Sequence, residues 1–397
     1  MTDELVLLEH DPPASDRTRL WDRWTSSDGE PVKSALFEPI RLRELTLENR
    51  IVVSPMCQYS AVDGSAGDWH VIHLGHLALG GAGLLILEAT AVDPVGRITP
   101  DCLGLWSDAN ESALRGVLDI VRRHSPMPLA IQLAHAGRKA SSRRPWDGGG
   151  QLTVAEGAWE AVAPSAVPHA DGERAPRALS IDDLRHVVTA FVSASERAQR
   201  LGFEAIEIHA AHGYLLHQFL SPIANHRDDA YGGSLERRMR FPLEVVAAVR
   251  EAWPADRPLG VRVSATDWVD GGWEIDQTLV FAEELRRLGV DWIDASSGGI
   301  SPLQSVAVGP GYQVRLAAAI RSSSGIPTIA VGLITEPLQA EEIVASGQAD
   351  MVALARGMLS DSRWAWHAAA ELGATAYAPA QYLRAAPTPS PGGHRPL

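Results

Sequence analysis

Short apolar runs alternate with longer amphipathic segments along most of the chain. Runs of this kind are typical of parallel strands that are covered on both faces. The pattern predicts eight strands, which lie at Ile51–Ser54, Gly83–Glu88, Leu129–Leu133, Phe203–Ile208, Leu259–Val263, Trp292–Ala295, Thr328–Val331 and Met351–Leu354.

Apolar residues recur at helical spacing after each predicted strand. Consecutive strand–helix units with no antiparallel hairpin between them predict an α/β fold, namely a (β/α)8 TIM barrel. A doubly wound sheet is the structural alternative, but such sheets usually stop at about five or six strands. The predicted helices lie around Trp69–Leu79 and at Ser112–Arg123, Ile181–Leu201, Leu235–Trp253, Gln277–Leu288, Tyr312–Arg321, Pro337–Ser346 and Ser362–Leu372.

Three kinds of segment lie outside this repeat. Alternation in Ile40–Leu42 and Leu45–Leu47 predicts a small N-terminal hairpin. The long Gly-, Pro- and Ser-rich connection at residues 136–179 follows the third strand, so we expect it to cap the C-terminal mouth of the barrel. The expected organisation is a polar, partly disordered extension at residues 1–35, the barrel at 36–380, and a C-terminal segment with a Pro-rich tail at 381–397.

Composition narrows the classes of function. The formal net charge of -14 disfavours nucleic acid as a partner, because phosphates would be repelled on average. The two cysteines, Cys57 and Cys102, are too few for a disulfide framework or a four-cysteine cluster. No apolar run reaches the roughly 18 residues of a membrane span, and residues 1–34 lack the apolar core of a secretory signal. We therefore expect a cytoplasmic protein without a membrane partner.

Polar rings follow the predicted fourth strand. His209 and His212 are three residues apart, so both rings can donate an N–H to one carbonyl oxygen and stabilise an enolate there. A metal site and a purely structural pair are the alternatives, but no motif supplies a further zinc ligand, and we expect no metal. Tyr214 can act as a general acid in the same pocket or be a packed core residue.

Other strand ends also carry candidate side chains. Glu207 should face the barrel axis, where a carboxylate must be paired, and Arg262 on the next strand is the expected partner. That arginine could serve only this internal ion pair, or it could stabilise an anionic cofactor ring. The amide of Gln132 matches the edge of a pyrimidine-like ring. Cys57 could simply be a small buried hydrophobe.

The last two strands end in a pattern typical of phosphate binding. Loops after strands seven and eight of a β/α barrel commonly hold a phosphate with backbone N–H groups and a positive charge. Gly332 follows strand seven, while Ala355 and Arg356 follow strand eight. No Gly-x-Gly-x-x-Gly follows any predicted strand, so a Rossmann dinucleotide site is not indicated. A phosphorylated cofactor held by the barrel itself, such as FMN, fits this pattern.

Several separated motifs together resemble the old yellow enzyme family, in the same order and from about Leu36 to Arg384. A cysteine after Pro55-Met56 points to the thermophilic-like or xenobiotic reductase branch. The motifs are Ser54–Tyr59, Glu88–Thr90, Gln132–Lys139, His209–Tyr214, Asp229–Ser234 and Arg262.

This resemblance implies an FMN-dependent ene-reductase that takes hydride from NADPH or NADH and reduces electron-poor alkenes. It implies that His209 and His212 hold the substrate oxygen, that Tyr214 gives a proton to the α-carbon, and that Cys57 tunes the flavin. Tyr59 would line the substrate pocket. The implied FMN-binding residues are Ser54, Pro55, Met56, Cys57, Ala89, Gln132, Arg262, Ala355 and Arg356, with Gly332 added by the phosphate pattern.

The resemblance also implies an oligomer. Gln381–Arg384 is similar to a C-terminal segment that lends an arginine, here Arg384, to the substrate site of a neighbouring subunit, so we expect a homodimer or homotetramer. Many relatives have Gly-Arg where this chain has Ala355-Arg356, but a backbone N–H remains available. Other FMN-barrel reductases and a non-catalytic flavin-binding redox sensor, built on Cys57 and the N-terminal extension, remain the alternatives.

Overall fold

A closed barrel of eight parallel strands forms the centre of the computed structural model, which describes residues 33–385. The strands follow one another around the barrel in chain order, and the last pairs with the first. This arrangement confirms the predicted (β/α)8 fold. The barrel strands are β3 (Ile51–Val53), β4 (Leu84–Ala91), β5 (Leu129–Ala134), β8 (Ala205–Ala210), β9 (Leu259–Ser264), β10 (Trp292–Ser296), β11 (Thr328–Val331) and β12 (Met351–Leu354).

Helices surround the barrel at the predicted places, with two short additions. The predicted Ser112–Arg123 helix begins earlier, at Asp108, because the Ser107 hydroxyl accepts a hydrogen bond from the Asn110 N–H and caps it. Helices Leu215–Leu220 and Arg356–Ser360 were not predicted. The helices are α1 (Asp68–Ala78), α2 (Asp108–His124), α3 (Ile181–Arg200), α4 (Leu215–Leu220), α5 (Leu235–Ala252), α6 (Ile275–Arg287), α7 (Val314–Ser324), α8 (Pro337–Ala345), α9 (Arg356–Ser360) and α10 (Trp364–Glu371).

The barrel interior is apolar at one end and polar at the other. Residues at the N-terminal ends of the strands, such as Leu84 and Trp292, form a buried cluster. Leu42 and Leu47 join this cluster from the antiparallel pair β1 (Ile40–Leu42) and β2 (Leu45–Leu47). The predicted hairpin therefore closes the N-terminal end of the barrel, and the polar chemistry is confined to the C-terminal end.

The connection at residues 136–179 is an ordered cap with short 3-10 turns and a small parallel pair, β6 (Val162–Ala163) and β7 (Arg177–Ala178). Trp159 of this cap donates its Nε1–H to the Val95 carbonyl at 3.0 Å. Arg97 stacks on Trp159 and Trp106 with 5.1 and 5.3 Å to the ring centroids. The cap is thereby attached to the loop that follows β4.

The expected extension at residues 1–35 and the expected tail after Arg384 lie almost wholly outside the described residues. At the start of the described part, the buried Glu341 carboxylate accepts hydrogen bonds from the Ser34 hydroxyl and the N–H groups of Ala35 and Leu36. These bonds attach the start of the fold to α8. Among residues 33–385, no helix has both the length and the apolar character needed to cross a membrane.

Candidate functional site

A tight turn after β8 carries the two histidines and the tyrosine. His212 and Gly213 both have left-handed backbone conformations, with φ of 57° and 73°. A Cβ on Gly213 would lie 2.1 Å from the Gly299 carbonyl oxygen, so only glycine fits. The Lys139 ammonium donates to the carbonyls of His212 at 2.9 Å and Gly299 at 3.1 Å. The turn is therefore held against the loop that follows β10.

The structure brings the three predicted rings together. The His209 ring centroid lies 5.1 Å from that of His212 and 4.9 Å from that of Tyr214, and both contacts are edge-to-face. His209 Nε2 lies 3.4 Å from His212 Nδ1. The Ala211 N–H donates to His209 Nδ1 at 3.2 Å, so a neutral His209 carries its proton on Nε2.

Burial and neighbouring cations keep these groups in defined protonation states. Burial, followed by the positive charge of Arg262, holds the pKa of His209 and of His212 well below its ordinary value. Burial, followed by Cys57 and Tyr59, raises the pKa of Tyr214 well above its ordinary value. At neutral pH the histidines are therefore neutral N–H donors, and Tyr214 keeps its phenolic proton.

Glu207 and Arg262 do not pair as predicted. Glu207 accepts hydrogen bonds from Gln132 Nε2 at 2.8 Å and Trp292 Nε1 at 3.1 Å. Arg262 Nε instead lies 3.1 Å from the Asp294 carboxylate. The strand register explains the correction, because Glu207 is level with Gln132 and Gly260, whereas Arg262 is level with Asp294. Asp294 stands as the one acidic residue in β10, which is the sequence signal that could have revealed it.

The buried carboxyl groups of Glu207 and Asp294 both interact with the guanidinium of Arg262. Burial, followed by the nearby Asp294, raises the pKa of Glu207 to about 7, whereas Arg262 acts in the opposite direction. The wholly buried Asp294 also has a raised pKa because burial outweighs the attraction of Arg262. The guanidinium therefore remains the dominant positive charge beneath the histidines.

Several buried groups at the strand ends have hydrogen-bonding capacity that no residue of the described chain uses. The hydroxyl of Ser54, at the end of β3, is buried without a partner. Among residues 33–385, Arg262 Nε makes no hydrogen bond although the Asp294 carboxylate lies 3.1 Å away, and Gln132 uses its Nε2 on Glu207, which leaves its amide oxygen for another donor. Buried polar groups normally find partners. Hence the donors and acceptor at the ends of β3, β5 and β9 fit the polar edge of a flavin ring.

The predicted phosphate residues lie on neighbouring strand ends. β11 and β12 pair directly, with Val331 opposite Ala353. Gly332 therefore lies beside Ala355 and Arg356, and Arg356 is exposed and forms no ion pair within residues 33–385. The Ser54 N–H donates to the Leu354 carbonyl at 3.0 Å, so β3 joins the same edge. A free guanidinium beside three strand ends fits the terminal phosphate of FMN.

The segment after β3 lies at the same end of the barrel. Pro55, Met56 and Cys57 are half-buried, and Ala89 on β4 is buried. Burial, followed by Cys102 and Glu88, raises the pKa of the Cys57 thiol well above its ordinary value, so the thiol stays protonated. Tyr59, with a left-handed φ of 49°, packs edge-on against Trp146 of the cap at 5.6 Å.

Arg384 is not brought to the site within one chain. It is exposed and makes no hydrogen bond or ion pair within residues 33–385. Its implied role in a neighbouring subunit stays a prediction.

Residues that had no predicted role support the turn. His217 Nδ1 accepts the Gly213 N–H at 2.8 Å, and its Nε2 lies 2.8 Å from the buried Asp267 carboxylate. Ser296, at the end of β10, lies 2.7 Å from His212 Nε2 through its hydroxyl. A run of Ser and Gly after a barrel strand is the signal that could have drawn attention to Ser296.

Polar groups that fit a flavin, next to protonated donors, are typical of flavin-dependent oxidoreductases built on a β/α barrel. A sequence model of the NADH:flavin oxidoreductase / NADH oxidase family matches residues 35–374. The chain belongs to this family, so the resemblance to the old yellow enzymes is confirmed, as are the assignment to an enzyme and FMN as the cofactor.

Curated relatives resemble nearly the whole chain. An NADPH dehydrogenase from Geobacillus sp. (strain WCH70) is 45% identical over 355 residues, which cover 89% of this chain and 99% of that protein. An NADPH dehydrogenase from Listeria innocua serovar 6a is 46% identical over 354 residues, with the same coverage of 89% and 99%. Among solved structures, morphinone reductase in complex with tetrahydroNAD is 29% identical with a TM-score of 0.70, and the match covers 86% of this chain and 92% of that one.

Proposed function

We propose that the protein reduces the activated C=C bond of α,β-unsaturated carbonyl or nitro compounds, with NADPH or NADH as the hydride donor. The observation that carries the proposal is the edge-to-face cluster of His209, His212 and Tyr214. At neutral pH this cluster contains two neutral imidazoles, each with one N–H, and a protonated phenol. The names of the curated relatives support NADPH as the donor.

The cofactor would be held by polar groups at the strand ends, of which the Ser54 hydroxyl and the Arg356 guanidinium have no hydrogen bond or ion pair within residues 33–385. Arg356 would bind the phosphate of FMN, whereas Ser54, Gln132 and Arg262 would bind the polar edge of its ring. The bound flavin supplies hydride transfer between the nicotinamide and the alkene. Arg262 adds a positive charge that stabilises electron density on the ring.

The histidine pair activates the substrate. Hydride addition to the β-carbon of an enone moves negative charge onto its oxygen. Neutral imidazole N–H groups that donate to this oxygen would stabilise that charge more in the transition state than in the ground state. Only electron-poor alkenes that carry such an oxygen would therefore be good substrates.

Tyr214 completes the reaction by protonating the α-carbon. Its pKa is raised, so it holds the proton until strong base character develops next to it. Its ring lies against His209 and beneath the Lys139 ammonium, whose nitrogen is 5.2 Å from the ring centroid. These contacts hold the phenol beside the oxygen-binding pair.

An anaerobic visible spectrum of the FMN-loaded protein tests the proposal directly. NADPH should bleach the flavin band, and 2-cyclohexenone should then restore it. The double variant His209→Ala/His212→Ala should keep FMN and still bleach, but should recover its band far more slowly. Recovery at the wild-type rate would exclude the histidine pair as the oxygen-binding group. A wild-type band that bleaches and never recovers with any enone or nitroalkene would refute the proposed reaction.

A further inference from the structure

The hydroxyl of Ser296 lies where it can control the proton of His212. Ser296 is buried at the end of β10, and its Oγ is 2.7 Å from His212 Nε2 but 3.5 Å from Gln313 Oε1. That Gln313 oxygen already accepts the Ser297 hydroxyl at 2.6 Å, and its Nε2 donates to the Val331 carbonyl at 2.8 Å. The Ser296 proton is therefore available to His212.

The neighbouring ring has a defined tautomer. Because the Ala211 N–H donates to His209 Nδ1, the neutral His209 ring presents Nε2–H. This N–H faces His212 Nδ1 across 3.4 Å. The tautomer of His212 then decides what the pair can offer to a substrate.

Two arrangements agree with these distances. If His212 carries its proton on Nε2, it donates to Ser296, and its bare Nδ1 accepts the His209 N–H, so the rings bind each other. If His212 carries its proton on Nδ1, both rings turn an N–H towards the same gap, and an oxygen placed there receives two hydrogen bonds. Each arrangement has one proton on the His212 ring and one on the hydroxyl, so exchange between them needs no added proton.

We propose that Ser296 is a positioning residue that selects the second arrangement when a substrate oxygen binds, by donating its hydroxyl proton to His212 Nε2. This inference rests on the proposed function of the histidine pair. Without the hydroxyl, the Nδ1–H form would leave a buried Nε2 lone pair with no donor, and the Nε2–H form would leave a buried N–H with no acceptor, so neither tautomer of His212 would be held by a partner at Nε2. Ser296 thus acts on the substrate only through His212.

Histidine tautomers can be read directly by NMR, independently of turnover. The experiment uses FMN-loaded protein with 15N-labelled histidine and two-bond 1H–15N correlation spectra, with 4-hydroxybenzaldehyde as the probe. The phenolate of this probe resembles a planar enolate oxygen. The chain has 14 histidines, so the His212 signals are identified by their loss in His212→Asn. Affinity is measured from the change of the flavin spectrum on titration.

The wild-type complex should show the Nδ1–H pattern for His212. Ser296→Ala should no longer hold His212 in a single tautomer and should bind the probe about tenfold more weakly, as expected for one hydrogen bond. Ser296→Thr keeps a hydroxyl and should restore both readouts. Ser297→Ala is the matched control, because its hydroxyl reaches Gln313 and makes no contact with His212. Retained FMN absorbance shows that each variant is folded.

Two results would overturn this inference and leave the proposed function standing. The first is an Nε2–H pattern for His212 in the probe complex of a wild-type protein that also reduces enones. The second is a Ser296→Ala variant whose His212 tautomer and probe affinity are unchanged. If Ser296→Ala does not fold, the wild-type tautomer and Ser296→Thr decide. A wild-type protein that neither binds the probe nor returns its flavin band with enones would refute the proposed function, and the inference would fail with it.

Discussion

Replacing Gly213 by alanine should disable the site through a backbone clash rather than through lost chemistry. The new Cβ would lie 2.1 Å from the Gly299 carbonyl oxygen, whereas real Cβ contacts essentially never fall below 3.0 Å. The turn and the β10 loop must therefore separate by about 1 Å. Displacements of about 1 Å can lower a reaction rate about 100-fold, because the reacting groups lose their alignment.

Gly271 provides a matched control for the conformational part of this effect. Its φ of 72° is almost the same as the 73° of Gly213, but a Cβ there meets nothing within 4 Å. Gly271→Ala should cost about 1 kcal/mol in the free energy of unfolding, from the left-handed conformation alone. Gly213→Ala should cost about 2 kcal/mol more, from the overlap.

Urea unfolding of both variants and the rate of flavin reoxidation by 2-cyclohexenone measure the two parts separately. Gly271→Ala should reoxidise at the wild-type rate, and Gly213→Ala about 100-fold more slowly. The reasoning would be refuted if both variants had the same stability and Gly213→Ala kept the wild-type rate.

Three further substitutions probe the remaining parts of the site. Tyr214→Phe should slow flavin reoxidation by enones at least tenfold, consistent with the general-acid contribution of about 100-fold or more. Flavin reduction by NADPH should be nearly unchanged. Equal slowing of both half-reactions would exclude Tyr214 as the proton donor. Asp267→Asn should destabilise the fold by about 3 kcal/mol at pH 7 and flatten its acid sensitivity. Burial alone would raise the pKa of Asp267, but His217 and the hydrogen bonds lower it, so the carboxylate stabilises the fold above the unfolded pKa of about 4 and this stabilisation is lost as the pH falls through the lower folded pKa. Urea unfolding at pH 7 and at pH values below 4 measures the loss. A variant that lost stability in acid as steeply as the wild type would contradict this reasoning. Arg384→Ala should raise the KM for enones if the arginine serves a neighbouring subunit, and an unchanged KM in a protein that elutes as an oligomer would remove that role.

The positions of the site residues along the chain were predictable because a barrel brings strand ends together. Any polar residue at or just after the C-terminal end of a predicted strand must lie at one rim, so His209, Gln132 and Arg262 could be grouped without a structure. The proposal of paired N–H donors and of Tyr214 as a general acid follows from residue types and spacing alone. The same reasoning placed Arg356 beside the end of β11.

The pairings within that rim were not predictable, because they depend on register. Glu207 is level with Gln132 and with Gly260, two residues before Arg262, whereas Arg262 is level with Asp294. The supports of the turn are equally hidden, since Gly213 and Gly299 touch only after two loops far apart in the chain are folded against each other. Sequence patterns specify which face a residue lies on more readily than which atom it meets.

The electrostatics of the site favour binding of negative charge without placing a charge on the reacting side chains. Burial and Arg262 keep both histidines neutral, and burial keeps the Tyr214 phenol protonated. The Lys139 ammonium, whose pKa burial lowers to about 8, adds a second positive charge behind the turn. In the proposed reaction, a developing enolate would therefore meet uncharged donors in front and cations behind. Because the donors do not have to gain or lose a proton to bind the oxygen, little reorganisation is needed as charge develops.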